Sequence, residues 1–339
     1  MTTLSIPTMY SLSERQIRQR PVVVIVGPTA VGKSGIAIEV AKRFETAILT
    51  ADSRQVYRGM DVGTDKPPLA LRQGVSHQLI DLVDPDKPFN TGLFRQYAAE
   101  AIDHLYQHRQ LPLVVGGTGL YVRTLLQGLC EAPPADPMVR AQLCEEARTQ
   151  GFEHLYARLA AIDPVTAGKL HPRDTSKIIR ALEVHQLSGL PMSGFQASHG
   201  FAERPFSSLV IGLNRDRDEL YRRIEERIDW QLANGLVEET RGLLDSGYRR
   251  DSAAMKGLGY RQVAAYLAGE CDRVEMVRLF KRDTRRFAKR QMTWFRRERD
   301  ITWVMMDEAE PAEPTVARVT RLIAQFLVAL DHQTTTAAS

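Results

Sequence analysis

An α/β fold, a parallel sheet flanked by helices and carrying a small all-helical insertion, is predicted by three observations. A wholly apolar run, residues 22–26, passes into the glycine-rich string GPTAVGKS, residues 27–34, and then into a helical pattern. Apolar strand-like runs and amphipathic helical runs alternate up to about residue 130. Residues 138–189 are helix-like throughout, and a loop-rich stretch bounds them on either side.

Taken in order, residues 21–26 read as a buried strand and residues 35–44 as a helix with Ile36, Val40 and Phe44 on one stripe. The run AILTAD ends at Asp52, and LPLVVGGTGLY runs from Leu111 into a turn at Gly116 and Gly117. Both leave polar groups at the carboxyl end of a strand, where open parallel sheets bind ligands. Between them, Phe94, Ala98, Ala101, Ile102 and Leu105 mark a helix over 91–109. The string EAPPADP, residues 131–137, ends the pattern with three prolines. Helical strings follow, then the loop PMSGFQASHGFAERP, then a strand-like SLVIGL from Ser208. Long helices are expected over 217–246 and 273–299, followed by the strand ITWVMMD and a helix over 314–330. The chain thus divides into a flexible extension (1–20), an α/β core with a helical C-terminal part (21–131 and 206–330), a helical insertion (132–205) and a flexible tail (331–339).

Composition narrows the class. The chain has 339 residues, 43% hydrophobic and 25% charged, as expected of a globular protein. No apolar run approaches the roughly 18 residues that span a bilayer, and the first twenty residues lack a secretory core, so a cytoplasmic enzyme is expected. Cys130, Cys144 and Cys271 are odd in number and widely spaced, which suits reduced thiols. The net charge of +4 specifies no partner by itself, so its distribution matters.

GPTAVGKS carries a definite chemistry. The backbone of Gly27, Pro28, Thr29, Ala30, Val31 and Gly32 can curl around phosphate oxygens, Lys33 adds a point charge, and Ser34 can ligate Mg²⁺. The loop reads phosphate and metal, not a base. Asp52 sits where a carboxylate could face that loop as a proton acceptor or as a metal ligand through water; an N-cap or turn aspartate explains it equally well. Asp61, Asp65 and Lys66 read as turn and surface residues. In VGGTGLY, the glycines allow close backbone approach and Thr118 offers a hydroxyl, although a plain turn would look the same. Residues 278–300 hold ten Lys or Arg against three acids, with Phe280, Phe287 and Trp294 on one helical face, a pattern suited to backbone phosphates. Lys256, Arg261 and Arg180 add cations elsewhere, and together they suggest a polyanion larger than the phosphate in the loop. The histidines show no metal spacing, and His77 reads as structural.

With these strings assembled, the sequence resembles the tRNA dimethylallyltransferase (tRNA isopentenyltransferase) family, in its bacterial form. The resemblance rests on GPTAVGKS, ADSRQVYRGMDVGTDKP, LVVGGTGLY, DTSKIIRALEV, RIEERID, GLGYRQ and TRRFAKRQMTWFRR, in family order. It implies a P-loop NTPase-like core and transfer of a dimethylallyl group from its diphosphate to N6 of the adenosine 3′ of the anticodon, in tRNAs reading codons that begin with U. Carried over by position, Lys33 and the loop would stabilise the departing diphosphate with Arg223, and Ser34 would help hold Mg²⁺. Asp52 would take the proton from N6, and Thr118 would hydrogen-bond near the reacting groups. Asp52, Ser53, Arg54, Gln55 and Thr118 match tRNA-contact positions, as do Ser176, Lys177, Ile178, Ile179 and Arg180. So do Lys256, Gly257, Leu258, Gly259, Tyr260, Arg261 and Gln262, and Arg285, Arg286 and Lys289 of the basic segment. Expected partners are a tRNA anticodon stem-loop and dimethylallyl diphosphate, with no membrane and the chain acting as a monomer. SHQ at residues 76–78 departs from the family's usual Pro-His-His, and no Cys follows Cys271 to build the zinc finger of eukaryotic members.

Two other readings share parts of this pattern. A small-molecule kinase would have the loop and core without needing the late basic segment. An adenylate isopentenyltransferase would share the donor chemistry, but the insertion and basic segments suit a macromolecular acceptor. A GTP-driven switch would need an Asn-Lys-x-Asp-type string, which is absent.

Overall fold

Six apolar positions with no polar alternation, Pro21–Val26, form a strand buried on both faces, β1, as expected in the middle of a parallel sheet. The structure is a computed structural model describing residues 10–200, 202–307 and 311–332. With β2 (Ile48–Thr50), β3 (His77–Gln78), β4 (Leu113–Gly116), β5 (Ser207–Asn214) and β6 (Ile301–Met305) it makes one sheet in the order β3-β2-β4-β1-β5-β6. Every pairing is parallel. Val26 stands opposite Gly116 and Gly212, and Thr50 opposite Val115, so the segments that follow β1, β2 and β4 all leave the sheet at one edge.

Before the insertion the helices are α1 (Glu14–Arg18), α2 (Lys33–Arg43), α3 (Thr91–Gln107) and α4 (Gly119–Gln127). The chain separates into two compact units, Gln127–Arg204 and the remainder, against the expected insertion limits of 132 and 205. The smaller unit holds α5 (Pro137–Gln150), α6 (Phe152–Ile162), α7 (Pro164–Ala167), α8 (Thr175–Ser188) and α9 (Met192–His199). Leu143, Leu155, Leu159, Ile178 and Leu182 form its core. Glu183, fully buried, accepts hydrogen bonds from the Asp136 N–H (2.8 Å), Arg140 Nε (2.9 Å) and Arg180 Nη1 (2.6 Å). Burial alone would raise its pKa, but these donors hold it below the usual carboxylate range.

The larger unit resumes with α10 (Arg217–Ala233), α11 (Leu236–Asp245), α12 (Tyr260–Leu267), α13 (Arg273–Phe295) and α14 (Ala312–His332). The single helix expected over 217–246 is in fact two. Gly235 takes a left-handed backbone (φ 98°) between them, which only glycine adopts without strain.

The expected flexible extension is corrected over residues 10–20. Leu12 is buried, and α1 is capped by Ser13. Gln16 donates to Leu327 O (3.2 Å) and Asp331 Oδ2 (2.9 Å) on α14. Residues 1–9 and 333–339, the rest of the two expected flexible ends, lie outside the described residues.

Candidate active site

The loop after β1 is pinned by Val31, which is fully buried, and opens α2 without a side-chain cap. The first N–H groups of that helix are therefore available to an anion. Ala30 and Gly32 take left-handed backbones (φ 65° and 105°), the reversal that lets successive N–H groups converge. Lys33 Nζ donates to Gly27 O (3.1 Å) and Pro28 O (2.8 Å). Desolvation pushes its pKa down to about 8; Asp52 opposes the shift and Arg227 adds to it.

After β2, the Asp52 Oδ1 accepts from the Arg54 N–H at 2.8 Å and, more weakly, from the Gln55 N–H at 3.4 Å. The turn reading of this residue is met at one oxygen. Oδ1 closes the turn, and Oδ2 accepts no hydrogen bond among the described residues. The turn after β4 locks against this one. Thr118 Oγ1 accepts from the Ser53 N–H (3.0 Å) and the Thr118 N–H donates to Ala51 O (3.2 Å). A Cβ on Gly116 would lie 2.0 Å from Ala51 O, so only glycine permits the approach.

Two cavities meet here. One, of about 320 Å³, is lined by Thr29, Lys33, Ser34, Asp52, Arg223 and Arg227 and extends to Ala37, Ile48, His77 and Val115. The other, of about 260 Å³, is lined by Asp52, Ser53, Arg54, Lys256, Arg261, Phe280, Thr284, Phe287 and Arg290. Thr29, Asp52, Thr64, Asp65 and Arg227 belong to both. The first is walled by the glycine-rich loop with Lys33, Arg223 and Arg227, the second by the rings of Tyr260, Phe280 and Phe287 together with the cations Arg54, Lys256, Arg261 and Arg290.

Helix α10 brings its arginines to the first cavity. Arg223 Nε donates to Ala30 O (3.1 Å), and Arg227 pairs with Asp65 at 3.2 Å. The segment carrying Asp65 is held by Glu239, whose carboxylate accepts from the N–H groups of Asp61 (2.9 Å), Val62 (2.8 Å) and Gly63 (3.1 Å) and from the Tyr260 hydroxyl.

Most of the expected site residues gather here, with several corrections. Among the expected RNA contacts, Ile178 and Ile179 are buried in the insertion core, and Arg180 is spent on Glu183 and Pro133 O. Tyr260 is buried and donates to Glu239, and Gln262 is buried against Gly259 and Asp283; Lys256 and Arg261 of that string remain exposed. Arg285 is paired with Glu225, whereas Arg286 and Lys289 are exposed with no ion pair among the described residues. Phe280 is fully docked, but Phe287 is half-buried and faces the second cavity. Lys66, read as a surface residue, is buried between Asp61 (2.7 Å), Asp81 (2.6 Å) and Tyr57 O (2.6 Å).

The sequence reading missed Arg227, Asp65, His77, Glu239 and Gln291. Only Arg227 left a signal, lying four residues after Arg223 and so on the same helix face. His77 lines the first cavity, and burial lowers its pKa, which favours the neutral ring.

Among the described residues no group of three or more His, Cys, Asp or Glu is placed to hold a metal. The oxygen donors lining the first cavity include the Ser34 hydroxyl and the carboxylates of Asp52, Asp65 and Glu226, with Asp65 already paired to Arg227. That set fits a hard divalent ion that keeps most of its waters and takes its other ligands from phosphate oxygens.

A parallel α/β sheet with a glycine-rich loop between β1 and α2, two joined cavities and a carboxylate at the junction places the chain among proteins with an α/β P-loop-like core. The sequence model of the IPP transferase family matches residues 55–298, and the chain belongs to that family. It is 51% identical over 287 residues, 85% of this chain and 93% of the relative, to tRNA dimethylallyltransferase 2 of Geotalea uraniireducens. The tRNA dimethylallyltransferase of Geobacter metallireducens is 50% identical, with 83% and 91% covered. Among solved structures, the tRNA isopentenylpyrophosphate transferase of Bacillus halodurans superposes with a TM-score of 0.70 at 35% identity, covering 93% of this chain and 99% of that one. A eukaryotic dimethylallyltransferase acting on tRNA, 23% identical with a TM-score of 0.76 and 90% and 80% coverage, shares the fold.

Proposed function

We propose that this chain transfers a dimethylallyl group from dimethylallyl diphosphate to N6 of the adenosine 3′-adjacent to the anticodon in tRNAs reading codons that begin with U. The observation that carries this reading is the position of Asp52, on the shared wall of a cavity built on the glycine-rich loop and one lined by aromatic rings and further cations. The diphosphate lies in the first cavity, against the loop Gly27–Ser34, Lys33 and Arg223. The adenine, turned out of the anticodon-loop stack, enters the second beside Phe287.

The chemistry balances within that arrangement. The C1–O bond to the diphosphate breaks, the C1–N6 bond forms, and Asp52 takes the proton that N6 loses. An allylic diphosphate ionises readily once its charge is met, so stabilising the leaving group carries much of the acceleration. Lys33, Arg223 and the loop N–H groups supply that stabilisation. The amine becomes acidic only as its new bond forms, so an ordinary carboxylate suffices as acceptor. Ser34, with Asp52 through water, would hold Mg²⁺, which when bound adds charge to the leaving group. Thr118 keeps the Asp52 turn in place through the Ser53 N–H.

Ser53, Arg54, Gln55, Lys256, Arg261, Arg286 and Lys289 are the proposed tRNA contacts of the larger unit, and Ser176 and Lys177 those of the smaller. The chain is proposed to act as a monomer. No described helix is long and apolar enough to cross a membrane, in keeping with a cytoplasmic reaction.

The test is incubation with Mg²⁺, dimethylallyl diphosphate and unmodified tRNA or AMP, followed by mass spectrometry. An added C5H8 unit on the tRNA is expected. Addition to AMP alone would indicate the adenylate enzyme, and ATP turnover without the mass shift would sink the proposal. Asp52→Ala should abolish transfer with tRNA affinity nearly unchanged; retained turnover would remove Asp52 from the proton-accepting role.

A further inference from the structure

A third cavity opens off the loop end of the site. It holds about 920 Å³, about three times the volume of the first, and shares Ser34, Gly35, Asp65, Pro67 and Arg227 with it. Asp52, Thr118 and the rings of the second cavity take no part in its lining. A Cβ added to Gly35 would meet nothing within 4 Å, so the passage beside the first turn of α2 is open.

This cavity differs in character from the other two. Ile38 on α2, Pro68, Leu69 and Leu71 of the turn Leu69–Arg72, and Trp230 on α10 make it an apolar groove. Leu69, Leu71 and Trp230 are 79%, 61% and 50% exposed, and large apolar side chains gathered at one groove mark a surface that a ligand covers. The charged groups along it are spent on one another: Lys66 pairs with Asp61 and Asp81, and Arg227 with Asp65.

Arg227 stands where the three cavities meet. It lines all of them, and its Nε is buried with no hydrogen-bond partner among the described residues. A buried guanidinium N–H without an acceptor suits an anionic oxygen. The uncapped first turn of α2 reaches the same junction through Ser34 and Gly35. An anion site therefore opens directly onto an apolar groove, and the complementary ligand has a compact polyanionic head and a long apolar tail.

We propose that the groove binds the tail of an isoprenoid diphosphate longer than the donor, with its head in the Gly27–Ser34 loop, and that such a molecule is a dead-end competitor of dimethylallyl diphosphate. The inference rests on the donor assigned under the proposed function. The tail gains affinity by leaving water, and the Arg227 Nε–H meets an oxygen of the head. C1 then lies on the side of Ser34 and Gly35, away from Asp52, so no bond to the diphosphate breaks and nothing reaches N6. Longer chains of this kind arise by condensing further five-carbon units onto the same donor. The groove thus lets the products of a reaction class that competes for dimethylallyl diphosphate hold back its use on tRNA.

Calorimetric titration of the full chain with Mg²⁺ and, in turn, inorganic, dimethylallyl, geranyl and farnesyl diphosphate tests this. Affinity should rise along the series, the farnesyl compound binding at least about tenfold more tightly than inorganic diphosphate. It should also displace dimethylallyl diphosphate and leave no farnesyl group on tRNA by mass spectrometry. In Leu69→Ser combined with Leu71→Ser, and separately in Trp230→Ala, the farnesyl-to-inorganic ratio should fall at least about fivefold with inorganic diphosphate affinity unchanged within about twofold. A flat series in the native protein overturns the inference, whether or not the variants fold. So does a farnesyl gain that both folded variants retain, which would put the tail in the second cavity, and so does farnesyl transfer to tRNA. A protein that adds C5H8 to tRNA yet shows a flat series keeps its proposed function and loses only the groove. Groove-dependent farnesyl binding in a protein that transfers nothing does the reverse, and failure to bind any of the diphosphates overturns both.

Discussion

Lys33 shows how one residue serves the site at a cost to the fold. Its ammonium is desolvated in the loop, which lowers its pKa from 10.5 to about 8. Between those values the unfolded chain binds the proton more tightly than the folded one, so raising the pH favours folding. The stability difference between the native protein and Lys33→Met should therefore shift in favour of the native protein from pH 8 to 10.5, as read by urea unfolding. A flat difference would mean the ammonium is not desolvated. Below pH 8 the group is charged, as its proposed role beside a departing diphosphate requires. Residue types near the loop were legible because phosphate chemistry leaves few alternatives. Glu239 was not legible, since its partners are backbone N–H groups of a segment 176 to 178 residues away.

At the scale of an element, α13 has two faces with different work. Met276, Phe280, Ala288, Met292 and Phe295 are buried, while the outer cations separate into paired and unpaired sets. Arg261 and Arg282 pair with Asp283, Arg285 with Glu225, and Lys281 with Asp229. The charge run alone could not sort these, because it carries no information on which acids of other elements lie opposite. Arg286→Ala with Lys289→Ala should weaken tRNA binding and reduce the slope of log affinity against log salt by about 1.5 to 2. The same slope in native and double-variant protein would remove this face from the RNA contact. Neutralising Arg285 should shift the slope less, since Glu225 already meets its charge.

Across the whole molecule, the sheet order places β4 between β2 and β1, so two turns distant in sequence meet beside the phosphate loop. The N-terminal segment belongs to this body. Leu12 and Gln16 are buried, and Gln16 ties α1 to α14. Leu12→Ala should lower unfolding stability by about 2–5 kcal/mol, the usual range for a buried leucine. Denaturant titration would check it, and a loss under about 0.5 kcal/mol, typical of surface sites, would mean the segment is not docked in solution.

The sequence by itself determined the α/β class, the glycine-rich loop between β1 and α2 and the presence of a helical insertion, because hydrophobic period and glycine spacing are local properties of the chain. It marked Asp52 and Thr118 as candidates without deciding between turn and reaction. Tertiary structure decided that the two turns interlock, that the two cavities share the Asp52 wall, and which cations remain free. Those outcomes depend on strand order and on partners brought together from distant segments, and no local pattern records them.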